Sequence, residues 1–294
     1  MRERDDDGPV REHEDGNGRG RGNGRGLDRD GFFVREGALS KVPAAFAELV
    51  AAARTGIGAA FGPEQLHSAY LYGSVPRGTA VPGRSDLDLL LALRNPPTAA
   101  DRAAADALQS ALDTRFAQVD GVGVLLFDVA TLLSEPERYD LGWFVACLCT
   151  PLLGPDLGEL LPRYRADAQL ARETNGDLAL RLPRWRTLAA TAGSAEERRV
   201  LSRGAARHLV RTGFTLVLPR WQGWTSDLAE SAEVFARYYP ERADQMRAAA
   251  AIARAGSTDP GALTLLLDEL GPWLAAEYTA VHGVKAPRTA AADG

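Results

Sequence analysis

Residues 85–97, Ser-Asp-Leu-Asp-Leu-Leu-Leu-Ala-Leu-Arg-Asn-Pro-Pro, constrain this chain more than any other stretch. The run Leu87 to Leu93 is almost wholly apolar and is stopped by Asn95-Pro96-Pro97, which predicts a buried strand. Side chains alternate across a strand, so Asp86 and Asp88 project side by side at its entrance while Leu87 and Leu89 enter the core. Two carboxylates at one spot repel unless a cation lies between them. Oxygen ligands of this kind suit a divalent metal, with magnesium the expected guest. The D-x-D spacing alone carries little weight, because Asp5/Asp7 and Asp28/Asp30 repeat it. What distinguishes Asp86 and Asp88 lies just upstream.

There, His67-Ser68-Ala69-Tyr70-Leu71-Tyr72 reads as a short strand that ends at Gly73, followed by the turn-rich stretch GSVPRGTAVPGRS. With a helical turn starting near Ser74, the glycine lets backbone N–H groups approach an anion, the serine hydroxyl donates another bond, and the turn's dipole favours negative charge. That is chemistry for phosphate. Arg77 is close enough in sequence to add a bidentate contact to a triphosphate, and Arg84 is a second candidate.

The pattern around this segment predicts an α/β unit. Val42 to Phe61 places Phe46, Leu49, Val50 and Ala53 at helical spacing, and residues 98–117 carry Ala104, Leu108, Leu112 and Phe116 on one helical face. Val119 to Phe127 is a third strand. Beyond about Pro162 the period turns helical over roughly 163–190, 195–218, 226–239, 241–255 and 260–281, which predicts an all-helical bundle. Residues 1–31 alternate charge with glycine and are expected to be a disordered Gly/Arg-rich tail. The division that follows is 1–31 tail, 32–160 α/β unit, 161–284 helical unit and 285–294 tail.

The string G-S-x-x-x-G at Gly73–Gly78 followed by S-D-x-D at Ser85–Asp88 resembles the signature of the nucleotidyltransferase superfamily with the polymerase-beta-like fold. The branch it resembles contains the minimal nucleotidyltransferases and the aminoglycoside adenylyltransferases. The resemblance is specific over residues 66–130, with a weaker echo in Leu153-Gly154-x-Asp156-Leu157. It implies a nucleotidyltransferase domain with a small mixed sheet ahead of a helical C-terminal domain. It also implies two Mg2+ ions held by three carboxylates, with an NTP, expected to be ATP, on Gly73, Ser74, Arg77 and Ser85. Asp86 and Asp88 would hold both metals. Asp120, heading the third strand, is the match for the third carboxylate. Asp128, whose place suits a helix N-cap, is its rival, and Gly121 departs from the family's apolar residue.

The reaction the resemblance implies is transfer of a nucleoside monophosphate to a hydroxyl of a small molecule such as an aminoglycoside-like antibiotic. The alternatives are AMP transfer to a protein side chain, or a noncatalytic nucleotide-binding module. Glu196, Glu197, Asp227, Glu230 and Glu233 are available as general bases, and Trp185, Trp221 and Trp224 could stack on a base or sugar, or pack in a core. With a net charge of -5 and lysine only at Lys41 and Lys285, the chain has no basic excess for dedicated nucleic-acid binding. No apolar run reaches the roughly 18 residues of a membrane span and no signal segment stands at the start, so a cytoplasmic location is expected. Cys147 and Cys149 have no further thiols to pair with and read as small buried hydrophobes.

Overall fold

The computed structural model describes residues 24–285. Pro43 holds the extended backbone that enters α1 (Ala44–Ala60), where Phe46, Leu49, Ala53 and Ile57 line one buried face. Each large apolar side chain so buried contributes about 1.5–3 kcal/mol. There follow β1 (Leu66–Tyr72), the single turn α2 (Ser74–Arg77), β2 (Leu87–Leu93), α3 (Ala99–Arg115) and β3 (Val122–Asp128). Thr98 and Asp101 form a reciprocal capping box that starts α3. α4 (Val129–Leu132), two π-helical turns at Arg138–Gly142 and Phe144–Leu148, and β4 (Thr150–Leu153) complete the first region.

The sheet runs in the order β3-β2-β1-β4. β2 and β3 are parallel, joined by the α3 crossover, whereas β1 is antiparallel to both β2 and β4. β4 was hidden in the sequence by Pro151, which removes a donor; an edge strand tolerates that loss. α1 and α3 cover one sheet face, burying Leu71, Leu87, Leu89 and Leu91 with them. On the other face Tyr70, Leu90 and Ala92 meet Leu132, Val145, Cys149 and Leu157. The sheet is mixed and small, as the resemblance implies.

The second region is helical, with α5 (Ala168–Asn175), α6 (Leu178–Thr191), α7 (Ala195–Trp221), α8 (Leu228–Ala236), α9 (Ala243–Ala255), α10 (Pro260–Thr264) and α11 (Gly271–His282). A π-helical turn, Leu265–Leu270, joins the last two. α7 starts at a Ser194/Glu197 capping box and, at about 1.5 Å per residue, runs some 40 Å through the bundle. Leu209, Val210, Phe214 and Val217 are buried along it.

Two expectations about the ends need correction. Over residues 24–31 the chain is no tail: Leu27 is 1% exposed within the helical core, and the Arg25 carbonyl accepts from Trp224 N–H at 2.7 Å. Average composition hid a single large apolar anchor among glycines and charges. Lys285, placed in the C-terminal tail, is buried and its Nζ lies 3.0 Å from Asp140 Oδ2. The remainder of both expected tails, 1–23 and 286–294, lies outside the described residues.

The two regions also share a wall. In the π-helical segment Trp143 and Cys147 enter the helical core, while Val145 and Cys149 enter the core under the sheet. Both cysteines are free and buried. Phe33 N–H donates to the Tyr164 carbonyl, Glu36 N–H to the Cys147 carbonyl and Ala38 N–H to the Pro76 carbonyl, so residues 24–38 form a strap laid across both regions. Among the described residues no helix is long and apolar enough to cross a membrane.

Candidate active site

Gly73 ends β1 with φ +79°, in the left-handed region that favours glycine, and Gly78 closes the α2 turn at φ +81°. A side chain at Gly73 would overlap Asp88 Oδ2, so the Asp88 carboxylate lies directly on the glycine backbone. Register explains the contact: Tyr72 is paired with Asp88 across the antiparallel ladder, one residue before the bend. Asp86 stands just ahead of β2 and its charge acts on Asp88. Among the described residues neither carboxylate makes a hydrogen bond or an ion pair. Burial, then repulsion from Asp86, pushes the Asp88 pKa up to about 6, opposed by Arg207, Arg77 and Arg211. On the same face Tyr72 meets Phe144 edge-to-face at 5.0 Å, and burial followed by the Asp88 charge raises its pKa.

The other nucleotide-binding candidates fall unequally. The Ser74 hydroxyl makes no hydrogen bond among the described residues, while the Ser74 carbonyl accepts from Thr79 N–H. Arg77 lies 3.7 Å from Glu36 Oε2, which also accepts from Ser226 Oγ, so the strap holds this arginine beside the carboxylates. Ser85 Oγ accepts from Val81 N–H and closes the loop before β2. Arg84 is exposed on that loop.

Asp120 is not brought into a group with Asp86 and Asp88. Its N–H donates to the Ser85 carbonyl, its side chain is exposed, and the cation its charge acts on is Arg199. The reason is phase. Parallel pairing of Leu87 with Val122 and Asp88 with Gly123 puts Asp120 one residue out of step with the carboxylate face. The positions in step are glycines: an added Cβ at Gly121 would stand 3.9 Å from Asp86 Oδ1, and one at Gly123 3.8 Å from Asp88 Oδ1. Asp128 is at the opposite end of the strand, paired with Leu93, where it caps α4 by accepting from Thr131 N–H and Oγ1. Among the described residues no group of three or more His, Cys, Asp or Glu side chains is arranged to hold a metal ion.

The five acidic residues considered as bases are all engaged locally. Glu196 pairs with Arg199 and Glu233 with Arg247, Glu197 accepts from Ser194 N–H in the α7 capping box, Asp227 caps α8, and Glu230 accepts from Thr225 Oγ1. The tryptophans pack: Trp224 against Phe33, Trp143 and Phe214, Trp221 against Phe214, and Trp185 against His208.

What sequence reasoning missed is the opposite wall. Arg199, Arg203, Arg207 and Arg211 recur every four residues along α7 and form one stripe. Asp86 and Asp88 both act on Arg207, and Asp88 and Tyr72 act on Arg211. Burial followed by Arg203 lowers the Arg207 pKa, and burial followed by Arg207 and Arg77 lowers that of Arg211. The Arg211 side chain is nonetheless exposed and makes no hydrogen bond or ion pair among the described residues. Arg211 thus keeps solvent access while standing among protein groups that desolvate it. Arg207 is anchored, its Nε donating to the Ala253 carbonyl at 3.2 Å. The signal was available: like charges at i, i+4 repel on an isolated helix, so such a stripe implies an anionic counterpart.

No protein-family model matches the chain, and no curated protein matches it. Among solved structures it is similar to spectinomycin adenyltransferase AAD(9) from Enterococcus faecialis, solved with ATP and spectinomycin. The two share 13% identity over 79% of this chain and 99% of that one, with a TM-score of 0.47. A likeness so distant carries no argument about this chain.

Proposed function

We propose that this chain is a divalent-metal-dependent nucleotidyltransferase that moves a nucleoside monophosphate, AMP from ATP, to a hydroxyl of a small molecule. One observation carries the reading: Asp88, without a partner, rests on a glycine bend with positive φ beside the equally unpartnered Asp86, within electrostatic reach of Arg77, Arg207 and Arg211. Acids and arginines in one recess suit a polyphosphate with its metal, the arginines taking phosphate oxygens and the acids the cation. The pair fits a divalent cation, since the repulsion that raises the Asp88 pKa would be relieved by a positive charge between the two groups. Such a cation, held by Asp86 and Asp88, supplies charge neutralisation at the phosphates.

The residues of this chain do the rest by position. The free Ser74 hydroxyl and the bend at Gly73 receive the terminal phosphates, and Arg77 is held beside them by Glu36. The acceptor oxygen attacks the α-phosphorus and forms a new P–O bond as the bond to the β-phosphate oxygen breaks. Pyrophosphate leaves and the hydroxyl proton passes to solvent. Catalysis here is positioning and charge stabilisation.

The acceptor is proposed to be a small molecule in the recess between sheet and bundle, an aminoglycoside-like antibiotic being the class to test first. A second reading, a noncatalytic nucleotide-binding module, is favoured by the glycines at 121 and 123, where a third carboxylate would stand in step with the pair. Incubation with labelled ATP, Mg2+ and an aminoglycoside panel or a lysate separates them. Label on a small molecule with pyrophosphate release supports the first reading, nucleotide binding without turnover the second, and label on protein bands would redirect the acceptor to a side chain.

A further inference from the structure

We infer that the site works with one divalent cation, and that Arg207 and Arg211 supply the positive charge that a second cation would otherwise bring to the triphosphate. The inference rests on the nucleotidyltransferase reading and sharpens it. It starts from the donor set. Two cations bridged by protein carboxylates need a third acidic ligand on the face shared by Asp86 and Asp88, and on β3 the parallel register puts Gly121 and Gly123, not an acid, next to the pair. Asp120 is out of phase and exposed, and Asp128 is spent capping α4 at the far end of β3. Two cations therefore do not fit these residues, whereas one does.

The missing charge has a source on the facing helix. Arg207 and Arg211 lie one turn apart on α7, both within electrostatic reach of Asp88, and neither forms an ion pair among the described residues. Arg207 is steadied by the Ala253 carbonyl through Nε, which leaves its terminal nitrogens to point elsewhere. Two guanidinium groups carry the charge of one divalent cation and add a planar donor fork that matches phosphate oxygens. A guanidinium carried on α7 also needs no ligand from the sheet, which accounts for glycine at 121 and 123 without loss of neutralisation.

The test counts ions. Full-length protein is titrated with Mn2+ in the presence of a saturating nonhydrolysable ATP analogue, and free Mn2+ is read by its electron paramagnetic resonance signal. One ion per chain is expected in the ternary complex, and two would overturn the inference while leaving the nucleotidyltransferase reading intact. Absence of any saturable analogue binding would instead overturn that reading, and the inference with it. Gly121→Asp introduces the missing carboxylate at a position where a Cβ makes only ordinary contact with Asp86. It is expected to raise the count to two; a folded variant, verified by circular dichroism, that still binds one ion overturns the assignment. Arg207→Ala with Arg211→Ala should weaken analogue binding on the order of 10²-fold, from two lost charge-assisted contacts, and reduce its dependence on salt. Unchanged affinity would remove the arginines from the account.

Discussion

The two walls of the proposed site are built from the same kind of material and by opposite means. On the sheet wall, Gly73, Asp86 and Asp88 lie within 16 residues of one another and are set side by side by a bend and the two-residue alternation of β2. On the helix wall, Arg207 and Arg211 are far along the chain and are spaced by the turn of α7. The acidic pair is local and needs only its own hairpin-like surroundings. The basic pair is useful only because tertiary packing turns that face of α7 toward the sheet. A motif can thus specify half of a site completely and be silent on the half that balances its charge.

Removing one wall at a time probes this comparison. The largest effect is expected for Asp88→Asn, which takes away a cation ligand while keeping size. Turnover measured by pyrophosphate release should fall on the order of 10²–10³-fold, with an unchanged circular dichroism spectrum. On the helix wall, Arg211→Ala alone should raise the KM for ATP about tenfold, the low end of the roughly 1.5–3 kcal/mol for a hydrogen bond to a charged group, and leave the melting temperature near its original value. If the arginine variant proved as damaging to kcat as Asp88→Asn, the two walls would not be separable in this way.

Gly73→Ala strikes the sheet wall through the backbone, combining positive φ with overlap on Asp88. A loss of about 1–3 kcal/mol in urea unfolding is expected, with KM for ATP increased. A smaller effect follows from pH. The Asp88 carboxyl titrates near 6 in the folded chain, above its ordinary value, so the folded state holds that proton more tightly than the unfolded one. Its contribution to stability is present below about pH 4 and is lost as pH rises through about 6. The metal-free protein should therefore lose on the order of 2 kcal/mol over that interval from this group. Asp88→Asn should flatten that part of the profile, and a profile identical to wild type would show that the carboxyl is not desolvated.

Strong periodic patterns and punctuating residues were readable from the sequence. Leu87–Leu93 forms β2 with those limits, and α3 and α9 match their amphipathic stretches to within two residues. The side-by-side placement of Asp86 and Asp88 also follows from alternation alone. β4 was obscured because Pro151 reads as a breaker until its edge position is known. Asp120 falls off the carboxylate face because a one-residue shift along β3 exchanges the two faces, and nothing local fixes the register of a parallel pair. The arginine stripe could be counted in the sequence, but only docking against the sheet gives it an anionic counterpart.

The burial of Leu27 carries a practical consequence for anyone who trims this chain. A boundary drawn at the end of the charged glycine-rich segment would pull an apolar plug from the bundle and cut the stitch to Trp224, leaving Glu36 on a loosened flap and its hold on Arg77 weakened. Recombinant versions that begin at residue 24 keep that fastening; those that begin at 32 give it up.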